Sequence, residues 1–176
     1  MTLNMDCEYH EMLKVLVGLR LNPIGAAADM LWVHFGALRV VVGRKGNTKK
    51  VGDWALHLQC PWRIVRSGAL MLASSDFYYE ADTGEHFDPE SNSESVFQRH
   101  AKQLNTLLDA EKPVVTTVHC TEAGAFDLTF DREIKLSVMP VESGRVLCSE
   151  SWRLFEPSRD SPHFVFPKIG EMPNRT

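Results

Sequence analysis

Apolar and polar residues alternate with a period of two over much of this chain, and in two places the spacing changes to that of a helix. Tyr9, Met12, Leu13, Leu16 and Val17 fall on one face of a short helix over 6–18, which Asn22-Pro23-Ile24-Gly25 stops. Phe97, Ala101, Leu104 and Leu108 form the stripe of a second helix over 95–110. Two capping boxes could open it, Ser91 with Glu94 or Ser95 with Gln98, and Lys112-Pro113 closes it. The rest of the pattern predicts strands: Met30–Phe35, Leu38–Val42, Trp54–Cys60, Trp62–Val65, Ala69–Ala73, Val114–His119, Phe126–Asp131, Ile134–Met139, Ser151–Phe155 and His163–Phe166. In the third of these, Trp54, Leu56, Leu58 and Cys60 point one way and Ala55, His57 and Gln59 the other. Pro61, which has no N–H to give a ladder, marks a strand end, a bulge or an edge.

Ser67-Gly68 and Asp131-Arg132-Glu133 read as hairpin turns. Gly43 to Gly52 reads as a basic loop and Asp76 to Glu94 as a solvated, flexible acidic one without Lys or Arg. With so few helices the strands cannot be joined by helical crossovers. The pattern therefore predicts an α+β fold, a mainly antiparallel sheet with two main helices. The chain reads as one domain over 1–176, with a frayed tail over 170–176. Two Trp-Arg pairs, Trp62-Arg63 and Trp152-Arg153, stand ninety positions apart, each roughly forty residues after a helix. At that offset Leu56 matches Val146, Leu38 matches Leu128 and Val40 matches Phe130, which raises two related halves, 1–93 and 94–169, beside the ordinary alternative of recurring strand-forming residues.

Composition narrows the function classes. A chain of 176 residues with 44% hydrophobic and 24% charged residues is ordinary for a globular protein. Folding at this size buries roughly 70% of the unfolded surface and requires no metal or disulfide. The net charge of −4 argues against nucleic acid as the main partner. No apolar run reaches the ~18–20 residues that span a bilayer, and the N-terminus lacks the pattern of a signal peptide, so no membrane and a cytoplasmic location are expected. Cys7, Cys60, Cys120 and Cys148 are widely spaced and read as free thiols.

Catalytic motifs are scarce. His57-x-x-Cys60 has a tolerable zinc spacing, but its two side chains would face opposite sides of a strand; His119-Cys120 would diverge likewise. In His10-Glu11-Met12-Leu13-Lys14 a lysine stands where the zinc-protease helix needs its second histidine. The sequence has no Gly-x-Ser-x-Gly elbow, dinucleotide fingerprint or phosphate loop, and Ser143-Gly144 reads as an ordinary turn. Neither a metal nor a cofactor is expected, and the reading leans away from an enzyme. Arg44-Lys45-Gly46-Asn47-Thr48-Lys49-Lys50 could touch phosphate, but reads more simply as a soluble hairpin tip. If a small molecule binds, the candidate polar groups are His57, Gln59, Arg63, His119 and Arg153. If a protein binds, Asp76, Glu80, Asp82, Glu85 and Asp88 form the candidate docking loop.

The stretch Val51-Gly52-Asp53-Trp54-Ala55-Leu56-His57-Leu58-Gln59-Cys60-Pro61-Trp62-Arg63-Ile64 resembles the signature of a group of small bacterial proteins with no assigned activity. The resemblance extends to Ser75-Asp76-Phe77-Tyr78-Tyr79, Glu150-Ser151-Trp152-Arg153-Leu154-Phe155 and His163-Phe164-Val165, leaving 80–94 poorly matched. It implies a bacterial cytosolic protein and no catalytic residues. In general look the chain is also similar to small immunity proteins that neutralise toxins. The leading expectation is thus a non-enzymatic protein-interaction module. The alternatives are a small-molecule binder or enzyme with a polar pocket on the sheet, or a scaffold that assembles through an exposed edge.

Overall fold

The computed structural model describes residues 5–43, 46–141 and 150–167, with side chains from Tyr9 onward. Arg44, Lys45, Ser143-Gly144, Val146, Cys148, the Cys7 side chain and the tail from residue 170 lie outside the described set. Helix α1 (Met5–Leu13) runs into a 3-10 turn, Lys14–Leu16, and helix α2 is Val96–Glu111. The strands before α2 are β1 (Gly25–Ala27), β2 (Met30–Phe35), β3 (Arg39–Val42), β4 (Thr48–Val51), β5 (Trp54–Leu58), β6 (Trp62–Arg66) and β7 (Ala69–Ala73). Those after it are β8 (Val115–Cys120), β9 (Phe126–Phe130), β10 (Ile134–Val138), β11 (Trp152–Phe155) and β12 (Phe164–Phe166). The fold is α+β with antiparallel pairing throughout the described ladders.

Two five-stranded sheets enclose the core. The first has the order β1-β2-β5-β11-β12, the second β7-β6-β10-β9-β8, and β3-β4 forms a separate hairpin. β5 ends in the first sheet and β6 begins in the second after only three intervening residues, Pro61 among them. β10 and β11 change sheets in the opposite direction. Each sheet therefore takes three strands from the segment behind one helix and two from the segment behind the other. Trp62 and Trp152 open the strands that change sheets, and both are buried. Of the residue matches at an offset of ninety, Leu56 with Val146 falls outside the described residues, and the other two do not follow this geometry. Leu38 and Val40 are exposed at the β3-β4 hairpin, whereas Leu128 and Phe130 are core residues of β9. The hairpin lengthens the first segment between β2 and β5, so no constant offset aligns the two.

Alternation places the core. Leu31, Val33 and Phe35 of β2 face Phe126, Leu128 and Phe130 of β9, and the Phe35 and Phe130 rings stack across the sheets with centroids 6.5 Å apart. The helices cover the sides that the sheets leave open. α2 packs on the β7 edge of one sheet and holds the entrance to β1 of the other: Asn105 accepts from Ile24 N–H and donates to Ile24 C=O, both at 2.8 Å. α1 packs on β8, and its Tyr9 ring meets Trp152 and Phe166 edge-on at 5.5 and 5.2 Å. Phe97, Ala101, Leu104 and Leu108 are the buried stripe of α2, and its start is Ser95, which forms the capping box with Gln98. Ser91 instead bonds to the Asp88 carbonyl.

Two segments differ from their sequence reading. Residues 48–51 are not loop: β4 pairs with β3 from Thr48↔Val42 to Val51↔Arg39. Lys49 and Lys50, on opposite faces of β4, are both exposed and disguise the strand, so no apolar alternation appears. The acidic segment is likewise a folded excursion. Tyr79 bridges His86, Glu80 bridges Ser95, and Phe87 N–H donates to Tyr78 C=O. Arg99 of α2 holds both Asp82 and Glu94, at 2.8 and 3.1 Å. Such exposed pairs add little to global stability, so their effect is local. Arg99→Ala is expected to raise the rate of proteolytic cleavage within 81–94 several-fold while barely moving the melting temperature. Unchanged cleavage would show that the backbone bridges suffice.

Candidate functional site

The sequence-predicted polar groups divide between the two outer sheet faces. On the first sheet the register aligns Gly25, Trp32, His57, Arg153 and Val165 in one row across β1, β2, β5, β11 and β12. On the second it aligns His119, Asp127, Ser137, Arg63 and Ala73 across β8, β9, β10, β6 and β7. His57, Gln59 and Arg153 thus share one face, while Arg63 and His119 lie on the other sheet. The five do not converge in one cavity. Arg63 is exposed and has no carboxylate partner among the described residues, and Asp127 of the same row is held by Lys135 at 3.4 Å.

The first row is the more interlocked. Glu150, three residues before Arg153, accepts from Gln59 Nε2 at 2.9 Å and from the Arg153 guanidinium. The carboxylate side chain is 13% exposed and that of Arg153 33%, so this pair is half-withdrawn from water. Arg153 Nη1 also meets His163 Nδ1 at 3.3 Å. The His163 ring stacks on Phe155 at 4.4 Å, and Phe155 meets His57 edge-on at 4.8 Å. On the other side of His57, the Trp32 ring lies 5.3 Å from His34. Gly25 makes room for Trp32, because a Cβ there would overlap the indole.

Both imidazoles are neutral at pH 7. Burial, helped by the charges of Arg153, His163 and Lys49 and opposed by Glu150, lowers the pKa of His57. Burial first, then His57 and Lys49, pushes His34 down to about 4. His34 Nδ1 accepts from Gly52 N–H at 3.3 Å, which places its proton on Nε2. No family model matches the sequence, and no curated protein or solved structure matches the chain.

Chemically, this face offers aromatic rings, neutral imidazoles and one guanidinium already paired to a carboxylate. Among the described residues no three His, Cys, Asp or Glu side chains come together to hold a metal. The sequence-predicted docking loop is occupied by its own structure. Asp76 accepts from Ala73 N–H, Glu80 from Thr83, and Asp88 from Glu90 N–H; Asp82 pairs with Arg99. Glu85 is exposed and has no side-chain partner among the described residues. Sequence reasoning missed Trp32, His34, Lys49, Glu150, Phe155 and His163. Period-two parity within β2 and β11 already sets Trp32 with His34 and Arg153 with Phe155. The missing information was strand order.

Proposed function

We propose that this chain is a non-enzymatic protein-interaction module of the bacterial cytosol, immunity-like in acting by binding a partner, and that it docks through the outer face of the first sheet. One observation carries the reading. Trp32, His57 and Arg153 stand in one row on the outer face of the first sheet, and Phe155 and His163 lie against that row, Phe155 touching His57 and His163, and His163 touching Arg153. Aromatic residues and Arg are the side chains enriched in interface cores. Side chains held before binding lose less entropy when a partner arrives.

The test is capture of a partner from the host by the immobilised chain, repeated with Trp32→Ala and Arg153→Ala. Retention of a defined protein by the wild type, reduced about tenfold or more by either variant with folding intact, is the expected result. Repeated absence of a partner, or equal retention by all three proteins, overturns it. A second reading is favoured by one detail: Arg153 Nε is buried without a hydrogen-bond partner among the described residues. Such a donor suits a small carboxylate or phosphate ligand. That reading requires a ligand-dependent rise in melting temperature that Arg153→Gln removes.

A further inference from the structure

The β3-β4 hairpin stands beside the docking face and has an unused edge. Neither strand has a second neighbour among the described residues. Between Asp29 and Asp53 the sequence contains no acidic residue. Asp53 binds the hairpin's base, accepting from Ala37 N–H at 2.7 Å and from Arg39 Nε at 3.0 Å. The two faces of the hairpin differ. Val40 and Val42, 64% and 72% exposed, share one face. Arg39, Val41 and Lys49 share the other, with Val41 opposite Lys49. This second face turns toward the first sheet: Val41 is half-buried, and the Lys49 charge is felt by His34 and His57. Lys49 and Lys50 are exposed with no carboxylate partner among the described residues.

A free strand edge flanked by exposed valines is a site for strand addition. We propose that β3 accepts an added strand from a partner protein, an extended segment whose apolar side chains lie beside Val40 and Val42 and whose carboxylates lie on the face of Arg39 and Val41, toward Lys49 across Val41. Charge complementarity selects this occupant. A second copy of the hairpin would bring further basic residues and no free carboxylate, since its Asp53 is held by Arg39, and the chain's own acidic segment is tied to α2 through Arg99. The inference rests on the interaction reading above and names the partner's chemistry.

The test is fluorescence anisotropy with a labelled short peptide of alternating valine and glutamate. A peptide of the same composition in two blocks, duplex DNA and phosphatidylserine vesicles serve as competing probes. The alternating peptide is expected to bind in low salt, and Lys49→Glu and Val42→Lys, both folded by circular dichroism, each to weaken it about tenfold or more. The block peptide is expected to bind no better than these variants allow. Equal binding of both peptides, binding of DNA or vesicles in their place, or self-association in sedimentation overturns strand addition. Trp32→Ala should leave peptide binding intact. Failure of the peptide with partner capture preserved therefore overturns strand addition and not the docking face.

Discussion

Trp152→Ala is expected to lower the free energy of unfolding by about 3–5 kcal/mol, read from urea denaturation. Trp152 is fully buried at the point where the chain crosses between sheets, and Tyr9 of α1, Phe126 of β9 and Phe166 of β12 surround it at 5.5, 5.3 and 5.7 Å. One side chain thus joins a helix and both sheets. Its Nε1 also donates to Gly124 C=O at 2.8 Å. Trp62 occupies the corresponding crossing with Phe77 and Phe97 against it, but its Nε1 has no partner among the described residues. A conservative pair of variants separates packing from hydrogen bonding. Trp152→Phe orphans the Gly124 carbonyl and should cost about 1–3 kcal/mol more than Trp62→Phe, which orphans nothing. Equal losses would assign both tryptophans to packing alone.

The two crossings also explain what was legible in the sequence. Alternation in β5, β9 and β10, and the stripe of α2, disclosed element type and the face that meets the core, although Ala55 of β5 and Ser137 of β10 are buried on the opposite side as well. The start of α2 was legible as one of two capping boxes, because a cap is a local device; that Ser95 with Gln98 is the one, and not Ser91 with Glu94, is decided by the fold. β1 was invisible: Gly25-Ala26-Ala27 has no strand-forming side chains, and its place is set by pairing with β2 and by the indole of Trp32 over Gly25. β4 was hidden because two successive exposed lysines, Lys49 and Lys50, interrupt any apolar alternation before the buried Val51.

The site was legible only in part for a related reason. Parity put His57 and Gln59 on one face of β5, and parity is local. That Arg153 lies opposite His57 while Arg63 lies on another sheet depends on β5 pairing with β11 and β6 with β10. Those are contacts of long sequence separation, and neither charge nor spacing encodes them in a single chain. Arg63 and Arg153 sit in similar Trp-Arg pairs yet differ in environment. Glu150 and His163 hold one, while the other faces solvent with no carboxylate partner among the described residues. Similar local sequence therefore gave similar strands without giving similar chemistry.

Acid should weaken the fold through the histidines of the first sheet. His34 titrates near 6.5 when unfolded and at about 4 when folded, and His57 is lowered as well. Between these values the unfolded chain binds more protons than the native one, so stability rises with pH there. The contribution is fully present above pH 6.5 and is lost as pH falls toward about 4. A shift of this size corresponds to about 3 kcal/mol for a fully buried ring, and the partial solvation of His34 brings it nearer ~2 kcal/mol. The check is urea denaturation across that pH range for the wild type and His34→Gln. Glutamine can still accept from Gly52 N–H but does not titrate, so the variant's stability should fall less steeply with acid. An identical slope in the two proteins would move the acid sensitivity away from His34.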